Sequence, residues 1–178
     1  MKTNYKEKSI GRNFFLPLLF ILLVFFLLIA LIKINCLIIR DPFTNQYKKI
    51  YYVKKDDLIG IIYTHSVMRT QTSEWYKIQD GKLILKEERY RSQGAGLPVD
   101  LIYKFKHENG DFVLYDIDEP FETVIYRTGD VRANHRLKIG DKDEELFTDF
   151  SEPREALEFS AKKMSLLNYL WRRYHIER

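Results

Sequence analysis

Two short stretches of the sequence contain the residue types that could form a binding or catalytic site. The first is the segment 63–67 (YTHSV), which is followed by Glu74, and the second is the segment 90–98 (YRSQGAGLP). His65 and Ser66 resemble a base beside a nucleophile, but neighbours on a strand point to opposite faces and cannot readily hydrogen-bond. A serine hydrolase also needs an oxyanion hole, and the sequence has no G-x-S-x-G motif. We therefore expect no catalytic residues, and a protein that is not an enzyme.

Possible metal ligands are dispersed along the chain. His65, His107 and His135 form neither an H-E-x-x-H nor an H-x-x-E-H grouping. The single cysteine, Cys36, excludes an internal disulfide and a multi-cysteine zinc site. The acidic run 116–119 lacks the glycine and the spaced oxygen ligands of a calcium loop. We expect neither a metal nor any other cofactor.

A β-hairpin could bring His65 and Glu74 together. If residues 69–72 formed a four-residue loop, Met68 would pair with Ser73, and His65 and Glu74 would be diagonal neighbours on one face. Such a pair would be either a ligand site or a buried hydrogen-bonded pair, and the sequence leaves both open. A shift of one residue in the register would separate the two side chains.

The glycine-rich segment 93–98 allows two interpretations. It is either a tight loop between strands or a loop whose backbone N–H groups face a ligand or a partner. The candidate ligand- or partner-binding residues are therefore His65, Ser66, Glu74, Tyr90, Gly94 and Gly96.

The sequence around these residues predicts β structure. From Leu37 onward, β-branched and aromatic residues alternate with polar ones, and Asp-Gly and Asn-Gly turns recur. About nine or ten short strands predict an all-β sandwich or barrel over residues 37–164. The composition of Ala156–Met164 would also suit a helix, but its alternation of apolar and polar residues favours the last of these strands. A short helix over Leu166–Arg173 is expected within the basic, aromatic end 165–178.

An apolar segment precedes this domain. Residues 14–32 contain no charged residue, and Pro17 alone interrupts the apolar run. At 1.5 Å per residue, a helix of this length spans close to the ~30 Å hydrocarbon core of a bilayer. The segment is longer than the ~7–15-residue apolar region of a cleavable signal sequence, and it lacks small residues at a cleavage site. We therefore expect an uncleaved transmembrane signal anchor, and the lipid bilayer as a partner.

Charge predicts the orientation of this anchor. The tail 1–13 carries four basic residues and one acidic residue, and basic flanks stay on the cytoplasmic side. The expected protein is thus a single-pass cell-membrane protein with a cytoplasmic N-terminus and an extracytoplasmic C-terminal domain. The tail accounts for three of the four net positive charges, so the sequence gives no reason to expect nucleic-acid binding.

The two stretches together carry a family resemblance. The Y-x-H-S-V strand, the downstream Glu74 and the Y-x-S-x-G-A-G-L-P loop resemble the bacterial DUF1850 family, over about residues 37–163. The resemblance implies a membrane-anchored accessory or interaction component of a TAXI-type TRAP transport system, a system that takes up organic solutes such as carboxylates. It also implies the TRAP permease or its solute-binding protein as a partner, and it implies no established reaction. A cell-surface enzyme or a small-ligand sensor with a site near His65 and Glu74 is the alternative. The end 171–175 (WRRYH) has no place in the family pattern.

Overall fold

The computed structural model describes residues 10–91, 102–129 and 133–177, with side chains described from Phe15 onward. Most of the predicted tail 1–13 and all of the segment 93–98 lie outside the described residues. The elements in chain order are α1 (Ile10–Leu31), β1 (Lys33–Arg40), β2 (Tyr47–Val53), β3 (Ile59–Thr64), β4 (Gln71–Gln79), β5 (Lys82–Tyr90), β6 (Lys104–Glu108), β7 (Asp111–Phe121), β8 (Thr123–Arg127), β9 (Arg136–Ile139), β10 (Glu145–Leu146), β11 (Ala156–Ser165) and α2 (Leu166–Ile176).

The strands form two antiparallel sheets. The small sheet has the order β2-β1-β11-β8, and the large sheet has the order β10-β9-β3-β4-β5-β7-β6. Apolar side chains from the inner faces of both sheets, such as Leu37 on β1 and Ile61 on β3, pack into one core. The prediction of an all-β domain is confirmed.

The small sheet is buried on its outer face as well. Helix α2 places Tyr169 against Cys36 and Ile38 of β1 and Met164 of β11, in a second cluster of buried side chains. Strand β1 is therefore covered on both faces, which explains why the run Cys36–Ile39 is apolar without alternation. Burial raises the pKa of the Cys36 thiol to about 11, so this free cysteine is unreactive at neutral pH.

Several local predictions agree with the structure. Asp80-Gly81 and Asn109-Gly110 both have positive φ angles, as two-residue hairpin turns require, and they connect β4 to β5 and β6 to β7. Strand β11 and helix α2 lie where the strand at Ala156–Met164 and the helix at Leu166–Arg173 were expected.

Helix α1 is separated from strand β1 by one residue, Ile32. Its described side chains are almost all exposed, and it begins at Ile10, before the predicted apolar segment 14–32. No helix in the described part of the chain has both the length and the hydrophobicity needed to cross a membrane.

Candidate functional site

Glu74 is the centre of a polar cluster inside the domain. Its side chain points to the inner face of the large sheet, as does that of Tyr76 two residues later on the same strand. The carboxylate accepts hydrogen bonds from three tyrosine hydroxyls: Tyr63 at 3.0 Å, Tyr76 at 2.6 Å, and Tyr126. We call these four residues the glutamate–tyrosine cluster.

The glutamate–tyrosine cluster connects the two sheets. Tyr63 and Tyr76 belong to β3 and β4 of the large sheet, whereas Tyr126 belongs to β8 of the small sheet. The hydroxyls of Tyr76 and Tyr126 lie 2.8 Å apart, and the Tyr126 ring packs edge-on against Phe159 of β11. The carboxylate of Glu74 therefore makes hydrogen bonds across the interior, between the two sheets.

The three tyrosines act as hydrogen-bond donors. Burial raises the pKa of Tyr63, of Tyr76 and of Tyr126, and the negative charge of Glu74 raises each of them further. All three hydroxyls keep their protons at neutral pH. The arrangement is suited to holding a carboxylate in place, and not to transferring a proton from tyrosine.

A second carboxyl group lies directly beside Glu74. Lys86 is an extra residue in β5 with no partner on β4, and this bulge places Glu88 opposite Glu74 on the inner face. The pKa of Glu88 is raised to about 7, mainly by burial and further by the negative charges of Glu74 and Glu119. Among the described residues, none makes a hydrogen bond to the Glu88 carboxyl group. This carboxyl group therefore exchanges its proton near neutral pH.

A buried hydroxyl lies on the same inner face. Thr72 is 5% exposed, and its Oγ1 has no hydrogen-bond partner among the described residues. Thr72 pairs with Tyr63 on β3 and with Tyr90 on β5, so it is a diagonal neighbour of Glu88. Thr72 and Glu88 therefore retain hydrogen-bonding capacity for a ligand.

His135 links the glutamate–tyrosine cluster to the surface. Its ring stacks between Tyr63 and Phe147, with centroid distances of 5.4 Å on both sides. Burial lowers the pKa of His135, which favours the neutral imidazole. His135 and Phe147 also line a surface pocket of about 120 Å³. No group of three or more histidine, cysteine or acidic side chains suited to a metal occurs in the described residues.

The comparisons identify the family. Residues 59–146 match the family model of DUF1850, a domain of unknown function. This chain belongs to the DUF1850 family. The matched residues contain every strand of the large sheet together with β8, and thus all members of the glutamate–tyrosine cluster. No curated protein and no solved structure matches the chain.

The predicted hairpin register of the DUF1850 domain is wrong. Strand β3 ends at Thr64, and Thr64 pairs with Gln71, so Ile61 lies opposite Glu74. The expected strand up to Met68 and the four-residue loop are replaced by a six-residue connection. His65 is consequently not a diagonal neighbour of Glu74. Tyr63 is the diagonal neighbour instead, and its hydroxyl donates a hydrogen bond to the Glu74 carboxylate.

The other predicted site residues of the DUF1850 domain have different surroundings. His65 lies in the turn after β3, where its Nδ1 accepts a hydrogen bond from the Met68 N–H at 3.3 Å. Ser66 is an exposed residue of the same turn. Tyr90 is buried on the inner face and stacks on Phe112 at 5.5 Å. The structure thus brings Tyr90 and Glu74 to one face and leaves His65 and Ser66 in a separate turn.

Two of the candidate residues, Gly94 and Gly96, lie outside the described residues.

Sequence reasoning missed Tyr76, Tyr126 and Glu88 as members of this site. Tyr76 carried a usable signal, because it lies two residues from Glu74 and must share its face of the strand. Glu88 carried none, since the bulge at Lys86 reverses the alternation on which such a prediction depends.

Proposed function

We propose that this DUF1850 protein is a single-pass, membrane-anchored accessory component of a TAXI-type TRAP solute transport system. The proposal rests on the two sequence motifs, and it draws on the DUF1850 match over residues 59–146. The structural observation that supports it best is the junction of α1 and β1, where only Ile32 separates the apolar helix from the domain.

The side chains of α1 support the anchoring part of this proposal. The residues from Phe15 to Leu28 are apolar apart from Pro17, and nearly all of them are more than a third exposed. A soluble protein rarely exposes a contiguous apolar surface of this extent. Lipid would cover it, and the basic tail would keep the N-terminus in the cytoplasm.

The short junction supports an accessory role at the membrane surface. With one residue between α1 and β1, the domain stays beside the bilayer, within reach of a permease or of a binding protein docked on it. The glutamate–tyrosine cluster does not favour catalysis, because its tyrosines retain their protons and its carboxylate already accepts three hydrogen bonds.

A small-ligand sensor is the second candidate function, and the hydrogen-bonding capacity left on Thr72 and Glu88 favours it. Two adjacent carboxyl groups, Glu74 and Glu88, would be stabilised by a positively charged group between them. We therefore propose a small organic cation, such as a primary amine, as the ligand class for this site.

Recovery of the complex from native membranes tests the accessory role. The full chain with a C-terminal tag is solubilised in mild detergent and captured, and we expect a TRAP permease or its solute-binding protein to be recovered with it. A tagged, unrelated single-pass protein is the control. Recovery of neither component, while another known membrane complex stays intact, would argue strongly against this function.

Protease treatment of spheroplasts tests the orientation. Added protease should digest the β domain and leave an N-terminal epitope protected, because the tail is proposed to lie in the cytoplasm. Protection of the β domain and digestion of the tail would reverse the proposed topology.

A further inference from the structure

Helices α1 and α2 meet at one end of the β domain. The Leu166 N–H at the start of α2 donates a 2.9 Å hydrogen bond to the Ile32 carbonyl, directly after α1. Lys33 and Ser165 are cross-strand partners, so β1 begins where β11 ends. A membrane surface at the end of α1 would therefore also lie beside the start of α2.

Helix α2 has a second apolar face. Its first face holds the buried Tyr169 against the small sheet. Leu167, Leu170 and Trp171 follow the i, i+3, i+4 spacing that places side chains on one side of a helix. Leu170 is 50% exposed and Trp171 is 60% exposed.

The charges of α2 are basic. The helix carries Arg172 and Arg173 and no acidic residue between Leu166 and Ile176, and Glu177 directly after it pairs with Arg173. A basic amphipathic helix with an exposed tryptophan is typical of a helix that lies in the membrane–water interface. At 11 residues, α2 is about 16 Å long, which is too short to span a bilayer.

We propose that α2 is an interfacial helix that inserts Leu167, Leu170 and Trp171 into the leaflet from which α1 emerges. Arg172, which lies over the Tyr47 ring at the edge of this face, then lies at the level of the anionic headgroups. The inference rests on the membrane anchor under Proposed function. The exposed apolar surface of α1 continues to Leu31 and Ile32, and the Ile32 carbonyl accepts a hydrogen bond from Leu166, the first residue of α2. The domain is consequently attached to the bilayer at two places, which fixes its tilt.

Tryptophan quenching by lipid tests this inference on the full chain. The sequence contains two tryptophans, and Trp75 lies on β4 of the large sheet, so Trp75→Phe leaves Trp171 as the only one. We expect Trp171 emission to fall about twofold when the protein is reconstituted in nanodiscs of brominated phosphatidylglycerol instead of the plain lipid, because an inserted side chain reaches the acyl boundary. In the matched variant Trp171→Phe, emission from Trp75 should be equal in both lipids.

A charged substitution gives a second measurement. Leu170→Glu in the Trp75→Phe background should abolish the quenching while the protein stays in the disc through α1. Ile125→Glu on β8 is the matched control, because Ile125 is 58% exposed, and quenching of Trp171 should persist there.

The outcomes separate this inference from the anchor. A chain that fails to co-purify with discs overturns both the anchor and the interfacial helix. A chain that co-purifies but shows equal Trp171 emission in both lipids overturns the interfacial helix alone. Blue-shifted emission without quenching would mean that a protein surface covers Trp171, and it would also overturn the inference.

Discussion

The substitution Glu88→Gln should change how the stability of the domain depends on pH. Glu88 lies on the inner face beside Glu74, and its pKa is raised from the ordinary value of 4.5 to about 7. The folded state therefore holds the Glu88 proton more tightly than the unfolded chain does. As the pH rises from 4.5 through about 7, the folded domain loses stability, because the unfolded chain gives up this proton first.

The size of this effect follows from the two pKa values. The difference between 4.5 and about 7 corresponds to about 3 kcal/mol at 1.36 kcal/mol for each pH unit. Because Glu88 is only partly buried, solvent screening reduces the expected effect to about 1–2 kcal/mol. Glutamine has a similar shape and no charge, so Glu88→Gln should match the natural protein near pH 5 and exceed it by about 1–2 kcal/mol at pH 8.

Thermal unfolding of the full chain in mild detergent measures this difference. An increase of 1–2 kcal/mol should raise the melting temperature by about 3–8 °C at pH 8 and by much less at pH 5. Glu87→Gln is the matched control, because Glu87 lies next to Glu88 on the opposite face and pairs with Arg89. That variant should keep the natural pH dependence. Equal stability differences for Glu88→Gln at pH 5 and pH 8 would refute the reasoning.

The remaining predictions concern the glutamate–tyrosine cluster and its neighbours, and each is checked by the same thermal unfolding assay. Glu74→Ala should be severely destabilising, at about 1–3 kcal/mol for each buried tyrosine hydroxyl left without its acceptor. His65→Ala should cost about 1 kcal/mol or less. Similar losses of stability in both variants would contradict the central role of Glu74. Tyr126→Phe should cost about 1–3 kcal/mol, because it removes a charge-assisted hydrogen bond between the sheets; an unchanged melting temperature would exclude that bond. Burial lowers the pKa of His135, so its protonation below about pH 6.5 favours the unfolded chain and costs stability. His135→Phe keeps the aromatic stack and should remove this loss of stability. An unchanged fall in melting temperature below pH 6.5 would contradict this.

Much of the fold could be predicted because its signals are local. The turns at Asp80-Gly81 and Asn109-Gly110 require positive φ angles, and these residue pairs adopt them at little cost. Alternation at 157–161 placed β11 correctly, because one face of that strand packs in the core. Local patterns of this kind predict a strand and the turn beside it, and they do not depend on which strands pair with it.

The pairing of β3 with β4 could not be obtained in the same way. The segment 65–70 contains neither Gly nor Asn, and its left-handed residue is Arg69, with φ of 52°. The backbone closes through His65, whose N–H donates to the Thr70 carbonyl at 2.9 Å and whose carbonyl accepts from the Arg69 N–H. Without a glycine to mark the turn, the sequence does not show where the strand ends, and the predicted register moved Glu74 away from its true partner, Ile61.

The glutamate–tyrosine cluster also shows how much of the chain is needed to complete the domain. Tyr126 lies within the residues that match the DUF1850 model, but its strand, β8, belongs to the small sheet and pairs with β11, which lies beyond the match. In this register Tyr126 faces Leu157, and β11 in turn pairs with β1, which lies before the match. Glu74 can therefore receive the Tyr126 hydroxyl only when β1 and β11 hold β8 against the large sheet. The cooperative unit must include both flanking strands, so the residues from β1 to β11 fold together even though the matched family core is shorter.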